Sequence, residues 1–447
     1  MSEYSVSIVK YETPQESVRK AVELAGGLPD LASDAKVFIK PNIVMWTKEV
    51  VFPKWGVITT SRVVEDMVVL LKEKGVHDIT IIEGIVTTDP KDAETPKHAF
   101  ENLGYGRLKK RYGVKAVNVF DRPFERVQID EDLFLNFNAD VINCDFLVNI
   151  PVLKAHSQTI VSMGIKNLKG LIDIPSRKKC HSPDPVKDLH YMVSKLADKM
   201  PPMFTILDGI YTNERGPALG GRAHRKNILI ASNDVLSADL VGANVLGWSP
   251  DEVPHIAHAA KSHNRPVDLS DIDVAGEKIA DVAFRHEYDF PYVRDEQGDW
   301  LPEPMMKFGM SGVSYRKYDL TMCTYCSHTN AIIIAALLSA WKGDPFDDVE
   351  ILTGKAMTPT KGKKKTILVG KCMVKAHKDN PDINEMIPVK GCPSKLENIK
   401  EALEKAGIQA DPAVFDTAHL HPGFFMKYYK DKETFDETFF QVQANDR

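Results

Sequence analysis

The sequence predicts an α/β protein with mainly parallel sheets, helices on both faces and two domains. Short β-branched runs alternate with amphipathic segments along residues 1–270, and the same alternation resumes after residue 328. Parallel strands joined by helices are covered on both faces, so their sequences are almost continuously apolar. The chain also has 447 residues, which exceeds the length of one ordinary domain.

The first domain, residues 1–280, is predicted to contain seven buried strands and three clear helices. The strands are VSIVKY (6–11), KVFIKPNIV (36–44), DITIIEG (78–84), KAVNVF (115–120), DFLVNIPVL (145–153), FTILDGI (204–210) and NILIAS (227–232). The helices are 14–26, 61–75 and 236–247. The first helix begins at Pro14 and ends at Gly26, the usual residues at those two positions.

The remaining chain is predicted to form a connection, a second domain and an arm. Residues 281–320 lose periodicity and gain proline, which indicates the connection. Residues 321–412 predict an α/β domain with helices 328–342 and 394–407 and strands 349–354, 365–372 and 385–392. Residues 413–447 are rich in Phe and Tyr. We expect this arm to pack on the body of the protein or on a sister subunit, so a homo-oligomer is one expectation.

Composition restricts the classes of partner. The net charge is −5 and the pI is about 6.3, which does not favour nucleic-acid or membrane partners. The first residues lack the pattern of a signal peptide, and no apolar run reaches the length of about 18 residues that a membrane span needs. We therefore expect a cytoplasmic protein.

Four of the six cysteines are predicted to bind one metal centre. They are Cys323, Cys326, Cys372 and Cys392. The last two end predicted strands, and strand ends of a parallel sheet converge. Four thiolates suit either a [4Fe–4S] cluster or structural zinc. One CxxC followed by two isolated cysteines favours the cluster, since zinc sites of this type usually have two CxxC pairs.

A lysine-rich stretch at residues 154–170 predicts an anion site. It carries Lys154, His156, Lys166, Asn167 and Lys169 without an acidic residue between the first and last lysine. Lysines and amides donate to carboxylate or phosphate, and a histidine or lysine there would serve as the proton donor. We assign the catalytic role to His156 or Lys166.

Further anion-site residues are predicted at other strand ends and in a glycine-rich loop. Lys40 and Asn42 would join the site if their strand lies alongside. Asp208 and Glu214 would orient the donors, and Arg215 in ERGPALGG (214–221) would add positive charge.

Several ordered blocks resemble one family. KPNI (40–43), NIPVLKAH (149–156), GIKNLKG (164–170), ILDGI (206–210), ERGPALGG (214–221) and ASNDVLSADLVG (231–242) are similar to domain of unknown function 362. The resemblance covers roughly residues 5–265 and implies an iron–sulfur module, which many members of that family carry. It implies no particular reaction.

Two weaker resemblances concern single sites. The GKC and GCP segments at 370–372 and 391–393 resemble the proximal-cluster site of nickel–iron hydrogenase small subunits and of a complex I subunit, although Ser394 replaces their second proline. The spacing of His156 and Lys166 resembles the N-terminal domain of lactate racemase. That resemblance implies a shared site location but not the nickel-pincer cofactor.

These observations together predict a cytoplasmic iron–sulfur oxidoreductase of anaerobic metabolism. It would reduce a small anionic substrate or cofactor with single electrons from a [4Fe–4S] cluster. A ferredoxin-like donor would supply those electrons to the cluster. Two alternatives stay open: a non-redox isomerase or lyase of anionic metabolites with a structural metal site, and a cluster-carrying binding or assembly protein. The identity of the substrate and of a second cofactor is left open.

Overall fold

The computed structural model describes residues 3–87, 92–296 and 298–443, and its chain divides into two units. The first unit contains Met1–Arg177, His190–Tyr288 and Pro422–Arg447. The second unit contains Lys178–Leu189 and Asp289–His421. The predicted α/β class is confirmed, because helices alternate with strands along the chain and most strand pairs are parallel.

The strands are numbered in chain order. They are β1 (Tyr4–Lys10), β2 (Lys36–Pro41), β3 (Asp78–Glu83), β4 (Lys115–Asn118), β5 (Phe124–Asp130), β6 (Leu133–Asn138), β7 (Phe146–Ile150), β8 (Val152–His156), β9 (Ile160–Ser162), β10 (Met203–Glu214), β11 (Arg222–Ser232), β12 (Ile272–Gly276), β13 (Tyr292–Arg294), β14 (Trp300–Pro302), β15 (Val313–Ser314), β16 (Val349–Leu352), β17 (Lys365–Val369) and β18 (Glu385–Val389).

The helices are numbered in the same way. They are α1 (Glu16–Leu24), α2 (Ser61–Glu73), α3 (Glu94–Asn102), α4 (Tyr105–Tyr112), α5 (Ala139–Ile142), α6 (Gly164–Asn167), α7 (Ile174–Cys180), α8 (Leu189–Ser194), α9 (Val235–Val245), α10 (Pro254–Ser262), α11 (Ile279–Val282), α12 (Glu303–Lys307), α13 (Thr324–Ala340), α14 (Lys371–His377), α15 (Leu396–Lys405), α16 (Ala413–Asp416) and α17 (His421–Phe424). Across the described residues, none of these helices combines the length and apolarity that a bilayer crossing requires.

The first unit is built on a ten-stranded sheet with the main order β12-β1-β11-β10-β7-β2-β3-β4. The strands from β10 to β4 are parallel to one another. Strand β11 is antiparallel to both of its neighbours, β1 and β10. A short connection joins β10 to β11, and such a connection can only return the chain in the opposite direction.

Strand β10 extends beyond the core of this sheet, and the start of the lysine-rich stretch pairs with this extension. The 12-residue β10 pairs first with β7 and then with β8, which forms an antiparallel hairpin with β9. The carboxyl ends of β2, β3 and β7 lie at the same edge, because these strands are parallel neighbours. This is the edge at which ligands bind in open α/β sheets.

The C-terminal residues of the described chain pack on the first unit. The Phe435 ring lies 5.5 Å from the ring of Trp55 and 6.1 Å from that of Tyr211. The Lys54 ammonium group pairs with the Glu437 carboxylate at 2.9 Å. The aromatic-rich segment after residue 421 is therefore part of the core of the first unit.

The second unit is built on a four-stranded, entirely parallel sheet of order β15-β16-β17-β18. Buried residues of the central strands, such as Ile351 and Ile367, share a core with Ile333 of α13 and Leu403 of α15. Much of the predicted connection is structured and lies in this unit. Residues 292–314 contain the β13–β14 hairpin, α12 and β15.

Candidate functional site

The four predicted metal ligands follow strands or precede helices of the second unit. Cys323 directly precedes α13, and Cys326 lies in the first turn of that helix. Cys372 lies in the first turn of α14, directly after β17, and Cys392 lies between β18 and α15. Since β16, β17 and β18 are parallel, their carboxyl ends share one edge of the sheet.

The four cysteines line one cavity that is open to solvent. Cys323 is buried and Cys326 is half-buried, whereas Cys372 and Cys392 are exposed. The structure thus brings together all four residues on which the sequence-based prediction of a metal centre rests. The other two cysteines, Cys144 and Cys180, are buried and are not among the residues that line this cavity.

Two glycines let the chain turn closely around the cavity. Gly370 and Gly391 have φ values of 95° and 123°, which side-chain-bearing residues rarely adopt. A Cβ atom on Gly391 would lie 2.8 Å from the Pro393 carbonyl oxygen, and one on Gly370 would lie 3.4 Å from the Cys326 sulfur. Steric constraints therefore explain why a glycine precedes Cys372 by two residues and Cys392 by one.

Hydrogen bonds and nearby charge favour the thiolate form of Cys323, one of the four cysteines at this cavity. The Cys326 thiol and the N–H groups of Cys326 and Tyr325 donate to Cys323, which lowers the pKa of Cys323 to about 5. The ammonium groups of Lys178 and Lys355 add positive charge. Lys178 is hydrogen-bonded to Cys392, and Lys355 donates to the Lys178 carbonyl oxygen at 2.7 Å. Cations and donors of this kind stabilise thiolates, the form that binds metals.

The spacing of the four sulfur atoms bears on the choice between zinc and a cluster. Among the residues that the structure describes, no three of these sulfurs lie within 4.8 Å of one another. Four thiolates around one zinc ion, each at about 2.3 Å, would be about 3.8 Å apart. In a [4Fe–4S] cluster each cysteine binds a different iron, so the sulfurs are more widely spaced.

In the first unit, two of the predicted anion-binding lysines are fully buried. Lys40 Nζ donates to the Glu83 carboxylate at 2.9 Å and to the Pro41 carbonyl oxygen at 2.8 Å. Lys154 Nζ donates to Asn42 Oδ1 at 2.6 Å and to the Val57 carbonyl oxygen at 2.8 Å. Glu83 of β3 thus supplies a carboxylate to these lysines, whereas the lysine-rich stretch itself contains none.

Two asparagines connect the lysines into one buried network. Asn42 Nδ2 donates to Asn167 Oδ1 at 3.1 Å, and the same oxygen lies 3.3 Å from Lys40 Nζ. Asn167 in turn donates to Asn149 Oδ1 at 2.8 Å. The structure therefore brings Lys40, Asn42, Lys154 and Asn167 together, as the strand positions predicted.

The other predicted residues of the lysine-rich stretch lie on β8 and around α6. His156 ends β8, and its Nδ1 accepts the N–H of Gln158 at 3.0 Å. Lys166 and Lys169 flank Asn167 and are half-buried. Asp239, which the sequence-based prediction missed, accepts the N–H groups of Gly164 and Ile165 at 2.6 and 2.9 Å. Asp239 therefore positions the start of the helix that carries Lys166.

The remaining three predicted residues have other partners. Asp208 accepts the backbone N–H groups of Thr60 and Ile210, and burial raises its pKa to about 6. Glu214 pairs with His224 at 3.1 Å. The Arg215 N–H donates to the Glu287 carbonyl oxygen at 2.8 Å. The contacts of Asp208 and Glu214 are thus with the backbone and with a histidine of β11, rather than with the predicted proton donors.

The burial of Lys154 predicts a pH-dependent contribution to stability. Burial lowers its pKa from 10.5 to about 7, and the nearby Lys40 acts in the same direction. Since the unfolded chain keeps the higher value, this contribution is complete above pH 10.5 and is lost as the pH falls towards 7. Relative to Lys154→Met, the wild-type free energy of unfolding should rise by about 2 kcal/mol between about pH 7 and pH 9.

Urea unfolding of both proteins at the two pH values measures this difference. The comparison with Lys154→Met cancels the titration of all other groups that the two proteins share. An unchanged difference across this pH range would show that Lys154 keeps its proton in the folded protein.

Comparison with known proteins agrees with the predicted resemblance over part of the chain. Residues 37–244 match the family model described as "Domain of unknown function (DUF362)". This segment contains the buried lysine network but none of the four cysteines at the cavity. A thylakoid-associated protein of Synechocystis sp. is 27% identical over 247 residues, which are 54% of this chain and 72% of that protein.

One solved structure was also found to be similar. It is the lactate racemase apoprotein from Thermoanaerobacterium thermosaccharolyticum, with a TM-score of 0.33 and 13% sequence identity. The match covers 93% of this chain and 91% of that one.

Proposed function

We propose that this protein is an iron–sulfur oxidoreductase that reduces a small anionic substrate or cofactor with single electrons. In this proposal Cys323, Cys326, Cys372 and Cys392 hold one [4Fe–4S] cluster. The observation that carries the proposal is that these four thiols line one solvent-connected cavity at the carboxyl edge of a parallel sheet. Such a cluster supplies one-electron transfer when it is bound.

The charges around the cavity favour the binding of an anionic group such as a cluster with its four thiolates. Lys178, Lys355 and Lys371 all contribute to its lining, and no Asp or Glu does. Four thiolates and a cluster together carry net negative charge, which unpaired burial would make costly. Ammonium groups and the N-terminal N–H groups of the 17-residue α13 offset that charge.

The substrate side of the proposal rests on the stretch around α6. Lys166 and Lys169 would bind a carboxylate or phosphate, and His156 or Lys166 would deliver the proton that accompanies reduction. Lys40 and Lys154 are fully buried, so we do not assign them direct contact with the substrate. We assign them a supporting role in which their charge contributes to the electrostatic potential at the substrate site. A ferredoxin-like donor and a cytoplasmic location belong to the same proposal.

Anaerobic purification with metal analysis tests this function. We expect about four irons per chain and a broad visible absorption that dithionite bleaches. Reduced ferredoxin should bleach the same bands, since ferredoxins are the proposed class of electron donor. Stoichiometric zinc without iron would contradict the cluster, and an intact cluster that ferredoxin fails to reduce would contradict the electron donor.

A further inference from the structure

A second group of metal-ligating side chains lies in the first unit and contains no cysteine. It consists of Glu214 at the end of β10, His224 in β11 and His286 in the segment after α11. One ligand atom from each of the three lies within 4.8 Å of the other two. In residues 3–87, 92–296 and 298–443, no other group of three such side chains meets this spacing.

The strand register places two of these side chains on one face. Glu214 is paired with Arg222, and Thr212 with His224, across the antiparallel β10–β11 pair. Residues two apart on a strand point to the same face, so Glu214 and His224 are diagonal neighbours there. Their closest atoms, Glu214 Oε2 and His224 Nε2, are 3.1 Å apart.

Contacts with surrounding residues hold the third side chain against this pair. The His286 ring lies 4.9 Å from the His224 ring and is buried, with 3% of its surface exposed. Its Nε2 is 2.8 Å from Thr212 Oγ1, a contact that a metal ion bound at Nε2 would replace. Trp248 Nε1 donates to the His286 carbonyl oxygen at 2.8 Å. This bond holds the main chain of His286, and thereby its ring, next to the Glu214–His224 pair.

The Glu214 carboxylate is oriented in a similar way. The backbone N–H of Glu287 donates to its Oε1 at 3.3 Å, which leaves Oε2 facing His224. One oxygen is thus held by the main chain next to His286, while the other contacts His224 Nε2, and a bound cation would replace the proton that these two atoms share.

We propose that Glu214, His224 and His286 bind one divalent first-row transition-metal ion, with zinc as the reference case. Two imidazoles and one carboxylate are a ligand set that zinc and iron(II) accept. Ligands at about 2.0–2.1 Å in tetrahedral geometry are about 3.3 Å apart, close to the 3.1 Å between Glu214 and His224. The ligand atom of His286 lies within 4.8 Å of the other two, so the ring would have to move closer by at most about 1.5 Å to complete the set.

The exposure of the three side chains indicates an open coordination site. The His224 side chain is 40% exposed and that of Glu214 is 22% exposed, so the ion can enter from solvent. Three protein ligands leave at least one position for water or another small ligand, as in zinc sites that bind exchangeable groups. This site uses no thiol and does not depend on the proposed iron–sulfur cluster.

An ordinary histidine–carboxylate pair is the alternative explanation, and the chain offers a control for it. His263 Nε2 lies 2.9 Å from Asp198 Oδ1, in an exposed pair with no third ligand within range. If the Glu214–His224 pair were only a surface ion pair, its zinc affinity should be similar to that of the Asp198–His263 pair.

Zinc titration of the full-length protein by calorimetry tests the proposal. The wild type is compared with Glu214→Gln, His224→Asn and the control His263→Asn, all of which keep the same thiols. We expect each ligand variant to weaken one zinc site by at least about 100-fold, and His263→Asn to bind like the wild type. His224 is partly exposed, so this variant should fold even if a change at His286 does not.

Cobalt(II) provides a second readout, because ligation by nitrogen and oxygen gives d–d bands without sulfur charge transfer. A set of such bands that is lost in His224→Asn and kept in His263→Asn would support the site. Equal zinc and cobalt binding by the wild type and both ligand variants, or equal losses in His224→Asn and His263→Asn, would overturn it.

Discussion

Cys372→Ser and Cys392→Ser are each expected to abolish the visible iron–sulfur absorption of the anaerobically purified protein. Both thiols line the cavity that Cys323 and Cys326 also line. Serine keeps the size of the side chain but is a much poorer ligand for iron than thiolate. We expect iron to fall from about four per chain to well below one.

The matched control is Cys144→Ser, at a cysteine outside the cavity. Its thiol is buried and donates to the Phe146 carbonyl oxygen at 3.3 Å, a contact that a serine hydroxyl can replace. This variant should keep its iron and its absorption. Full iron content in Cys372→Ser, or equal losses in all three variants, would show that the cavity does not hold the cluster.

The second large effect is expected from Lys40→Met, which should lower the free energy of unfolding by about 3–5 kcal/mol. The Lys40 and Glu83 side chains are only 0% and 3% exposed, and their charged atoms are 2.9 Å apart. Removal of the lysine leaves an uncompensated carboxylate in the interior. The paired change Lys40→Met with Glu83→Gln removes both charges, so it should recover more than half of the loss.

An exposed ion pair of similar length provides the reference for this experiment. Lys115 and Asp78 are 2.8 Å apart, with side chains that are 62% and 37% exposed. Asp78→Asn should change the free energy of unfolding by less than about 1 kcal/mol. Denaturant unfolding of all four proteins gives the comparison, and a Lys40→Met effect as small as that of Asp78→Asn would mean that the buried pair contributes little.

Several features of the fold could be predicted because local sequence determines them. The apolar runs around Val37 and Ile81 are buried strands, and Cys372 and Cys392 line one cavity because each follows a strand of the same parallel sheet. The proximity of Lys40 and Asn167 was also predictable in outline, since Lys40 lies near the carboxyl end of β2 and Asn167 lies in α6, which follows β9 of the same sheet. In each case a short segment and a general rule about parallel sheets were sufficient.

Other features depend on contacts between distant residues, and no local pattern indicates them. Glu83 lies 43 positions after Lys40, and only the pairing of β2 with β3 brings its carboxylate to that amine. Its position at the end of a strand was visible, but its partner was not. His286 is a stronger example, because it reaches His224 from a segment without regular structure. The antiparallel placement of β11 has a different cause: the apolar runs 204–210 and 227–232 are shorter than β10 and β11, so the short connection between the two strands is not apparent from those runs.

The first unit is formed by separate segments of the chain, and the last of them follows the second unit in the sequence. This arrangement has a consequence for biosynthesis. Phe435 and Phe440 complete its core, yet residues 289–421, which belong to the second unit, are translated before them. At about 5–20 residues per second, the ribosome needs on the order of ten seconds to make that intervening stretch. Throughout this interval the nascent chain exposes the aromatic surface around Trp55 and Tyr211, which the C-terminal segment later covers. We therefore expect the first unit to complete its core only after translation has passed the second unit.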